Sequence, residues 1–548
     1  MVAGNGAGGT GTTAITIFRA ARIVTLAGPD DRTSPEVQAM ATAAEHVVDV
    51  GDLAGLRDRF PTAEVVDLGG ALVVPGLNDA HCHPSVTAAA RLHVDVSPGA
   101  VDDTAGVARA LAERARATPP GTWVVGAGYV PPRGGPRIDR AVLDAISTEH
   151  PVAVVLTHLH TAIANTRALE RAGVGEDTDD PVGGRLGRDA AGRLDGWLYE
   201  LAFLDRYFAE PPWIEEPDTE AALGALAAEN RRLHSLGLTS YCDAIVSPSS
   251  WRLYQLARAR DKLTARVGTL LWAPYADLAR ELGVTAGLGD QRLRHVGIKM
   301  MYDGALSGGT CLCTLPYPAL DGDQHGMRLA DPDTFRELVR AVHTAGGRVC
   351  VHANGDAAIT AVLDAIEAAQ AEMPSPTSVR HRIEHCSMTD PVTVRRLAAA
   401  RVVAVPFGQF IHHHGDRLIE IYGRERAARL LAHRSLLDAG VTVAGSSDHP
   451  AGPLDPLLAL QSLTTRTTAS GQLLGADERI DARQALAVYT VGSAHATGEA
   501  ALKGRLVPGL LADFTVLDRD ILTVDPATIA DTAVLSTWVG ARRVWSTP

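Results

Sequence analysis

The sequence predicts an α/β protein built around a (β/α)8 barrel of the TIM type, with a small β-sandwich assembled from both chain ends and an inserted α+β segment. The middle of the chain alternates Ala- and Leu-rich helical stretches, each closed by Gly or a basic residue, with short apolar runs typical of buried strands. Both ends are instead rich in short β-branched strands. At 548 residues the chain is long enough for a barrel with attached domains.

The predicted domains follow one another along the chain. Residues 1–13 are small, Gly-rich and uncharged, which is typical of a disordered leader. Residues 14–75 and 500–548 together form the expected β-sandwich, and residues 76–499 form the barrel. Gly and Pro are frequent around residues 100–215, which indicates an inserted, lid-like segment. A doubly wound open sheet is the alternative, but no glycine fingerprint for a dinucleotide follows the first strand.

Composition and charge restrict the class of function. Hydrophobic residues make up 46% and charged residues 21% of the chain, as in ordinary globular proteins, and the formal net charge is −13. Because Lys and Arg form no dense cluster, we expect no nucleic-acid partner. The chain shows no secretory signal, no apolar run of roughly 20 residues and only 6 cysteines, so we expect a cytoplasmic protein without membrane contact. A homodimer is expected from base rates alone.

Two histidines end the first predicted barrel strand. In LVVPGLNDAHCHP, residues 72–84, His81 and His83 point the same way because side chains two apart share one face of a strand. At the C-terminal mouth of a barrel, where barrel enzymes carry their chemistry, paired imidazoles suit Zn²⁺ and similar divalent ions. An H-x-H motif alone is a weak signal, since exposed loop histidines give the same pattern.

Four further residues with metal-binding side chains end later strands: Lys299, His352, His385 and Asp448. Lys299 points inward in HVGIKMMYDG, where a lysine is costly unless it is neutral or paired, for example with Asp303. A neutral amine can add CO₂ and become a carbamate anion that bridges two cations. Either histidine alone is more often a core residue, and Asp448 alone reads equally well as a helix cap. Taken together, six potential ligands fall on one rim of the barrel.

These motifs resemble the amidohydrolase superfamily, in particular its YtcJ-like branch of metal-dependent hydrolases, which includes N-substituted formamide deformylases. The resemblance runs from about residue 14 to the C-terminus and rests on VVPGLNDAHCHP, NTRAL, PVGGRLGRDAAG, LGLTSYCDA, GIKMMYDG, VHANGD, RIEH, RSLLDAG, GSSDHP and LADFTVLD. It implies the barrel, the composite β-sandwich and a metal centre of one or two divalent ions, usually zinc. The ligands that the resemblance assigns are His81, His83, carbamylated Lys299, His352, His385 and Asp448.

One stretch departs from the family pattern. Where the branch usually has Asp-Gly-His before its Asn-(Ser/Thr) motif, this chain reads THLH at 157–160 and then NT at 165–166. His160 matches the family histidine that faces the substrate, and we expect it to stabilise the developing oxyanion. His158 is extra and is assigned to the substrate pocket, although a second H-x-H at a strand end could rival the first as a metal site.

Residues around the ligands complete the predicted site. Ligand histidines need acceptors for their second N–H group, and we assign Glu384, Asp356 and Asp303 to this outer set. Aromatic residues of the inserted segment are expected to roof the pocket and to favour an apolar or aromatic N-substituent. They are Trp123, Tyr129 and Trp197.

Two motifs have no assigned role. The run SGGTCLCTL holds Cys311 and Cys313, which are either a reactive or metal-binding pair or two small residues of a substrate loop. The run His412–His414 is expected on a solvated loop or at the edge of the pocket.

The implied function is hydrolysis of the C–N bond of a small-molecule amide of the N-acyl or N-formyl class. A hydroxide held between two cations would attack the carbonyl, while Asp448 acts first as general base and then as general acid. One alternative is a single-metal deaminase of a cyclic amidine, although such deaminases lack the lysine and carry His-x-x-Glu where this chain has Ala-Asn-Gly after His352. The other alternative is a non-catalytic binding or regulatory barrel.

Overall fold

The computed structural model describes residues 14–28, 37–69, 72–132, 136–318, 324–374 and 379–547. The leader predicted at 1–13 lies outside these residues. Among the described helices, none combines the length and the apolarity that crossing a bilayer requires.

The strands belong to three sheets. The first part of the chain holds β1 (Ile15–Ile23), β2 (Val37–Ala43), β3 (His46–Gly51), β4 (Glu64–Asp67), β5 (Leu72–Pro75) and β6 (Leu77–Cys82). The next part holds β7 (Val94–Asp95), β8 (Val124–Tyr129), β9 (Val152–Leu156), β10 (Thr161–Ala164), β11 (Gly184–Arg188) and β12 (Leu194–Glu200). The remainder holds β13 (Leu238–Val246), β14 (Arg266–Trp272), β15 (Leu293–Met301), β16 (Val349–Ala353), β17 (Arg382–His385), β18 (Val403–Val405), β19 (Phe514–Leu517), β20 (Val534–Val539) and β21 (Arg542–Ser546).

The longer helices mostly begin after an Asp or Ser whose side chain accepts a hydrogen bond from the first helical turn, as Asp103, Asp218 and Ser247 do. The first six helices are α1 (Leu53–Arg59), α2 (Pro84–Ala90), α3 (Thr104–Ala117), α4 (Arg140–Ile146), α5 (Thr166–Arg171) and α6 (Leu201–Tyr207). The next six are α7 (Thr219–Ser235), α8 (Pro248–Ala259), α9 (Ala276–Glu281), α10 (Pro332–Thr344), α11 (Asp356–Glu372) and α12 (Pro391–Ala399). The last six are α13 (Phe410–Tyr422), α14 (Arg424–Ala427), α15 (His433–Asp438), α16 (Pro456–Thr465), α17 (Ala482–Ala487) and α18 (Ser493–Ala496).

The barrel is a parallel sheet in the order β18-β17-β16-β15-β14-β13-β6. Every residue of β13, β16 and β17 is buried, as expected of parallel strands that are covered on both faces. Residues 441–448 occupy the eighth position, between β18 and β6. There the Ala404 N–H donates to Thr442 O (3.0 Å) and the Ala80 N–H donates to Gly445 O (2.9 Å). The predicted (β/α)8 barrel is confirmed, with its last position filled by an extended segment.

Strands from both chain ends form a second, mixed sheet in the order β21-β20-β19-β5-β1-β2-β3, with β4 paired to β1. This sheet corresponds to the predicted β-sandwich. Phe18, Phe514 and Trp538 pack together in its core, with ring centroids 5.1 to 5.3 Å apart. Arg266 of β14 joins the sheet to the barrel, because its guanidinium donates to both carboxylate oxygens of Asp513 at 2.6 and 2.9 Å.

The inserted α+β segment predicted around residues 100–215 is confirmed as a third sheet, in the order β11-β12-β10-β9-β8-β7, which lies between the barrel strands β6 and β13 in sequence. Its β7, β8 and β9 strands run parallel, and β9 to β12 are antiparallel. One hydrophobic cluster of this insertion includes Ile245, Trp272 and Met301 from the barrel strands. The insertion is therefore packed directly onto the mouth of the barrel.

Candidate metal centre

A small cavity of about 20 Å³ lies at the C-terminal ends of the barrel strands, with room for a metal ion or about one water molecule. The structure brings all six predicted ligands to its wall: His81, His83, Lys299, His352, His385 and Asp448. The rest of the wall consists of His158, Leu159, His160, Leu204, Phe208, Ile245 and Met301. Residues that are widely separated in sequence thus face one shared volume.

His81, His83 and Asp448 form the tightest part of the site. Their potential ligand atoms all lie within 4.8 Å of one another. Oδ1 of Asp448 is 3.4 Å from Nε2 of His81 and 3.2 Å from Nε2 of His83. Burial alone raises the pKa of Asp448, but the two imidazoles outweigh it and hold the pKa well below its usual range. An ionised carboxylate between two imidazoles is a candidate metal site.

His352 and His385 extend this site across the mouth of the barrel. Their ring centroids are 4.1 Å apart, and the His385 ring lies 5.4 Å from that of His81. Burial lowers the pKa of both His352 and His385 well below the usual value, so both imidazoles are neutral, the form that binds metal. Among the described residues, the buried atoms His81 Nε2 and His385 Nδ1 have no hydrogen-bond partner. Nitrogen and oxygen donors with unused lone pairs fit a divalent ion such as zinc.

Lys299 is buried beside these histidines, with 2% of its surface exposed. Within the described part of the chain, no side chain hydrogen-bonds or ion-pairs with its Nζ atom, and burial lowers the pKa of Lys299. The alternative ion pair with Asp303 is wrong. The carboxylate of Asp303 instead accepts hydrogen bonds from the backbone N–H groups of Asn354 and Leu312, both at 2.9 Å. Asp303 Oδ1 lies 3.6 Å from Nε2 of His352, so Asp303 does belong to the surroundings of a ligand histidine.

Glu384 orients His81. Oε2 of Glu384 lies 2.6 Å from Nδ1 of His81, and Arg382 donates to both carboxylate oxygens at 2.7 Å. Burial raises the pKa of Glu384, but Arg382 and His81 reverse this effect and lower the pKa to about 2. The charged carboxylate therefore accepts the Nδ1–H of His81 and leaves Nε2 turned toward the cavity. Arg382 was not predicted, although Arg-x-Glu on one strand face is a signal that could have found it.

Asp356, expected to accept from a ligand histidine, does not do so. Its Oδ1 accepts the backbone N–H of Thr314 at 2.9 Å, and its Oδ2 accepts the Thr314 hydroxyl. The physical reason is that α11 begins at Asp356 and turns this residue away from the end of β16 toward the loop that carries Thr314. The assignment of Asp356 to the site is therefore wrong.

A buried acid that the sequence analysis missed ties β6 to the closing segment. Oδ1 of Asp79 accepts the N–H groups of His81 and Ser447, both at 3.1 Å, and Oδ2 accepts the Ser447 hydroxyl at 2.5 Å. Burial raises the pKa of Asp79 to about 6. These bonds fix the distance between the two chain segments that end in His81 and Asp448.

The insertion contributes His158 and His160 to the cavity wall. Nδ1 of His160 lies 2.5 Å from Oε2 of Glu200. Burial lowers the pKa of His160, but the Glu200 carboxylate outweighs it, and the net pKa is raised. His158 Nδ1 accepts the backbone N–H of His160 at 3.0 Å, and burial lowers the pKa of His158 to about 3. Glu200 was missed because it lies on β12, forty residues beyond His160.

The THLH motif does not form a second metal centre within the described residues. There, the only group of three or more His, Cys, Asp or Glu side chains close enough to share an ion is His81, His83 and Asp448. Nδ1 of His158 accepts the backbone N–H of His160, and Nδ1 of His160 is hydrogen-bonded to Glu200. These two nitrogens are therefore engaged within the protein.

Comparison with known proteins decides the family. Residues 64–545 match the Amidohydrolase family. The chain belongs to the amidohydrolase family. This confirms the predicted resemblance and the enzyme class, a hydrolase of carbon–nitrogen bonds.

Relatives of this amidohydrolase cover nearly its whole length. The amidohydrolase YtcJ of Bacillus subtilis (strain 168) is 28% identical over 541 residues, 96% of this chain and 99% of YtcJ. N-substituted formamide deformylase of Arthrobacter pascens is 29% identical over 520 residues, 92% of this chain and 94% of that protein. The structure of an uncharacterized metal-dependent hydrolase from Pyrococcus horikoshii OT3 covers 94% of this chain and 99% of its own, with a TM-score of 0.75 and 24% identity, which supports the fold.

The aromatic roof predicted for the amidohydrolase is wrong. Trp123 packs against Trp213 with ring centroids 5.5 Å apart, and Trp197 donates its indole N–H to Ile138 O at 2.9 Å. Tyr129 and Trp197 are 3% and 4% exposed, in the core of the insertion. Strand alternation turns them inward, away from the barrel. Apart from the residues of 158–160, the insertion lines the cavity with Leu204 of α6 and Phe208 just after it.

Backbone strain is concentrated around the site. His385, Cys386 and Asp448 have φ angles of 67°, 44° and 55°, in the left-handed region that non-glycine residues rarely adopt. Leu159, which precedes His160, and Glu200, which is hydrogen-bonded to it, are also left-handed, with φ angles of 60° and 51°. Such conformations cost about 1–3 kcal/mol each and persist where the surroundings enforce them, which is common at functional sites.

The run His412–His414 lies within α13 and not on a loop, so this expectation is wrong. His412 Nδ1 is 3.2 Å from Thr467 O, and His414 Nε2 is 3.2 Å from Ala451 O. These contacts hold α13 against the segments after Asp448 and after α16. Neither histidine lines the small cavity.

Proposed function

We propose that this amidohydrolase hydrolyses the C–N bond of a small-molecule amide, with a formyl or other short acyl group bound at the metal centre. The observation that carries the proposal is the position of Asp448. Its ionised Oδ1 lies 3.2 and 3.4 Å from the two H-x-H imidazoles, inside a buried cavity at the mouth of a barrel. The similarity to a protein named N-substituted formamide deformylase supports the choice of amide.

We further propose zinc, as one or two ions, held by the six residues that line the cavity. Imidazole nitrogens and a carboxylate oxygen are the donors that zinc prefers. Carbamylation of the unpaired, buried Lys299 would add an oxygen donor to this set. When bound, the metal supplies the positive charge that polarises the amide carbonyl and lowers the pKa of water.

The protein groups move the protons. Asp448, ionised before reaction, takes one proton from the attacking water and passes it to the departing nitrogen, so that an acid and an amine are formed. His160, which Glu200 holds in place, donates a hydrogen bond to the carbonyl oxygen as negative charge develops there. Glu384 keeps the Nε2 lone pair of His81 directed inward throughout.

The apolar part of the wall supports a short acyl group. Leu204, Phe208, Ile245 and Met301 share the cavity wall with the histidines. An apolar wall this close to the proposed metal ligands favours the smallest acyl group, formyl, over a branched or aromatic one. The N-substituent must then extend past this apolar wall, which favours an uncharged substituent.

The test combines metal analysis with a substrate panel. We expect the purified protein to carry zinc and to hydrolyse N-formyl amides faster than the matching N-acetyl amides. Removal of the metal by a chelator should abolish this activity, and added zinc should restore it. Release of ammonia from a cyclic amidine would instead establish the deaminase, and a metal-loaded protein that leaves every amide intact would establish a binding barrel.

The carbamate is tested separately. Lys299→Ala should lower the number of bound ions, and bicarbonate should raise metal uptake by the wild-type apoprotein. Lys262→Ala, which alters an exposed lysine paired with Glu220, is the control and should leave metal content unchanged. One tightly held ion that is insensitive to both treatments would exclude the carbamate.

The expected homodimer stays a prediction.

A further inference from the structure

Three sulfur atoms lie together outside the hydrolytic centre, in the loop that follows β15. Sγ of Cys311 is 3.8 Å from Sγ of Cys313, which in turn is 3.7 Å from Sδ of Met388. The three residues are 0%, 2% and 6% exposed. None of them lines the hydrolytic cavity.

The spacing of these sulfur atoms suits a shared metal ion. With metal–sulfur bonds of about 2.3 Å, sulfur ligands around one ion lie roughly 3.8–4.0 Å apart in trigonal or tetrahedral geometry. The observed separations of 3.8 and 3.7 Å are close to that range before any ion is added. Thiolate and thioether ligands together select soft ions, Cu⁺ above all.

We propose that Cys311, Cys313 and Met388 form a second metal site, which binds a soft monovalent cation of the Cu⁺ class. The sulfur set differs in chemistry from the nitrogen and oxygen donors of the hydrolytic centre, so the two sites select different ions. The pair of cysteines in the C-x-C run supplies the charge, and Met388 supplies a neutral third ligand.

The surroundings act differently on the two thiols, and burial raises the pKa of Cys311 well above its usual value. The hydroxyls of Tyr317 and Tyr422 lie 3.3 and 3.2 Å from Sγ of Cys311 but donate to the backbone carbonyls of Cys311 and Leu306 at 2.5 and 2.7 Å. Binding of Cu⁺ must therefore itself displace the proton of Cys311. Nη2 of Arg426 lies 3.6 Å from Sδ of Met388. Two thiolates with one Cu⁺ carry a net charge of −1, which the Arg426 guanidinium offsets. The hydrogen bond from Cys311, together with Arg426, lowers the pKa of Cys313.

The loop both shapes the sulfur site and brings it near the surface. Gly326 has a φ of 86°, and a Cβ atom there would meet the carbonyl oxygen of Cys311 at 2.0 Å, so only glycine allows this close approach. On the other side, Cys313 is followed at once by Thr314 and Leu315, which are exposed, the latter to 64%. The exposed part of the loop therefore begins one residue after Cys313.

The competing outcome is a disulfide between the two cysteines. Its S–S length of about 2.05 Å would require the sulfurs to approach by well over 1 Å and would remove both thiolates from Met388. A disulfide therefore excludes the metal site, and the two outcomes are distinguished by counting thiols and bound copper in the same sample.

The experiment is an anaerobic Cu⁺ titration of the reduced, zinc-loaded protein against a chromophoric Cu⁺ chelator. We expect the protein to withdraw one equivalent of Cu⁺ from the chelator without releasing zinc. Cys313→Ser should weaken this binding at least 100-fold and the near-isosteric Met388→Leu about tenfold. Cys242→Ser and Met327→Leu, which alter sulfur residues outside the cluster, are the matched controls and should bind as the wild type does.

Copper-edge X-ray absorption provides the second measurement. We expect two or three sulfur neighbours and no nitrogen shell in the wild type. Equal Cu⁺ binding by the wild type and Cys313→Ser, displacement of zinc in proportion to copper, or no binding at all would overturn the proposal. So would the loss of two of the six thiols to a disulfide in the isolated protein. Because Met388→Leu keeps the volume of the side chain, it decides the question even where Cys313→Ser does not fold.

Discussion

Nδ1 of His160 lies 2.5 Å from Oε2 of Glu200, and the backbone N–H of Glu200 donates to His160 O at 2.7 Å. Both residues belong to the insertion, His160 just before β10 and Glu200 at the end of β12. The insertion therefore delivers a carboxylate-held imidazole to a cavity whose other polar residues come mainly from the barrel. In this amidohydrolase the inserted sheet completes the proposed active site as well as covering it.

Glu200→Gln tests this role. A neutral amide holds the imidazole less firmly than a carboxylate does, so kcat/KM should fall on the order of 100-fold. The zinc content should stay unchanged, because Glu200 does not line the cavity. Steady-state kinetics and metal analysis measure both quantities. Glu176→Gln, an exposed glutamate of the same insertion, is the control, and equal rates for the two variants would remove Glu200 from the site.

Asp448→Asn separates metal binding from proton transfer. Asparagine keeps an oxygen at the Oδ1 position but cannot take a proton from water. We expect bound metal to be retained, while kcat falls on the order of 10²- to 10⁴-fold. Turnover near the wild-type rate on the best amide would exclude Asp448 as the proton carrier.

Glu384→Gln tests the orientation of His81. Loss of the charged acceptor should weaken zinc binding about 10- to 100-fold, as measured by competition with a fluorescent chelator. Asp356→Asn is the matched control, since Asp356 bonds Thr314 and no ligand histidine. We expect this control to bind zinc as the wild type does, and a comparable loss in both variants would contradict the structural assignment.

Trp197→Ala and Leu204→Ala distinguish packing from substrate contact. Trp197 lies in the core of the insertion, so its removal should cost about 3–5 kcal/mol of unfolding free energy and leave KM unchanged. Leu204 lines the cavity, so its truncation should change KM and the preference between formyl and acetyl amides. Urea denaturation and kinetics give the two readouts. A changed KM for Trp197→Ala with full stability would restore Trp197 to the pocket.

Asp513→Ala should destabilise the junction between the end-strand sheet and the barrel. It leaves the Arg266 guanidinium, whose side chain is 1% exposed, without both hydrogen bonds to Asp513 and with the more exposed Glu45 as its remaining carboxylate partner. Breaking a buried ion pair in this way costs about 3–5 kcal/mol. Asp67→Ala breaks the exposed pair with Arg19 and should cost less than about 1 kcal/mol by the same denaturation measurement. Equal losses of unfolding free energy in the two variants would show that burial does not determine how much an ion pair contributes to stability.

The gathering of the ligands could be predicted because two simple rules act together. Side chains alternate along a strand, and the ends of parallel strands meet at one rim of a barrel. On β15 the rule holds residue by residue, since Lys299 and Met301 line the cavity while Ile298 and Met300 belong to the surrounding core.

The supporting residues could not be predicted in the same way. Glu200 reaches His160 only through the pairing of β10 with β12, and Asp79 holds Ser447 across the closure of the barrel. Neither contact can be predicted from the residues that are adjacent in sequence. The prediction for the aromatic residues was wrong for another reason. Their hydrophobicity predicts burial but does not indicate in which hydrophobic core they are buried.

The closing position of the barrel has a mechanical consequence. The segment that ends in Asp448 is no regular strand, and the Asp448 N–H donates to His81 O at 2.8 Å across the seam. Any fluctuation that separates the two segments therefore moves Asp448, the proposed proton carrier, away from His81 and His83 at the same time. Closure of the barrel and the position of Asp448 beside His81 therefore depend on the same contact.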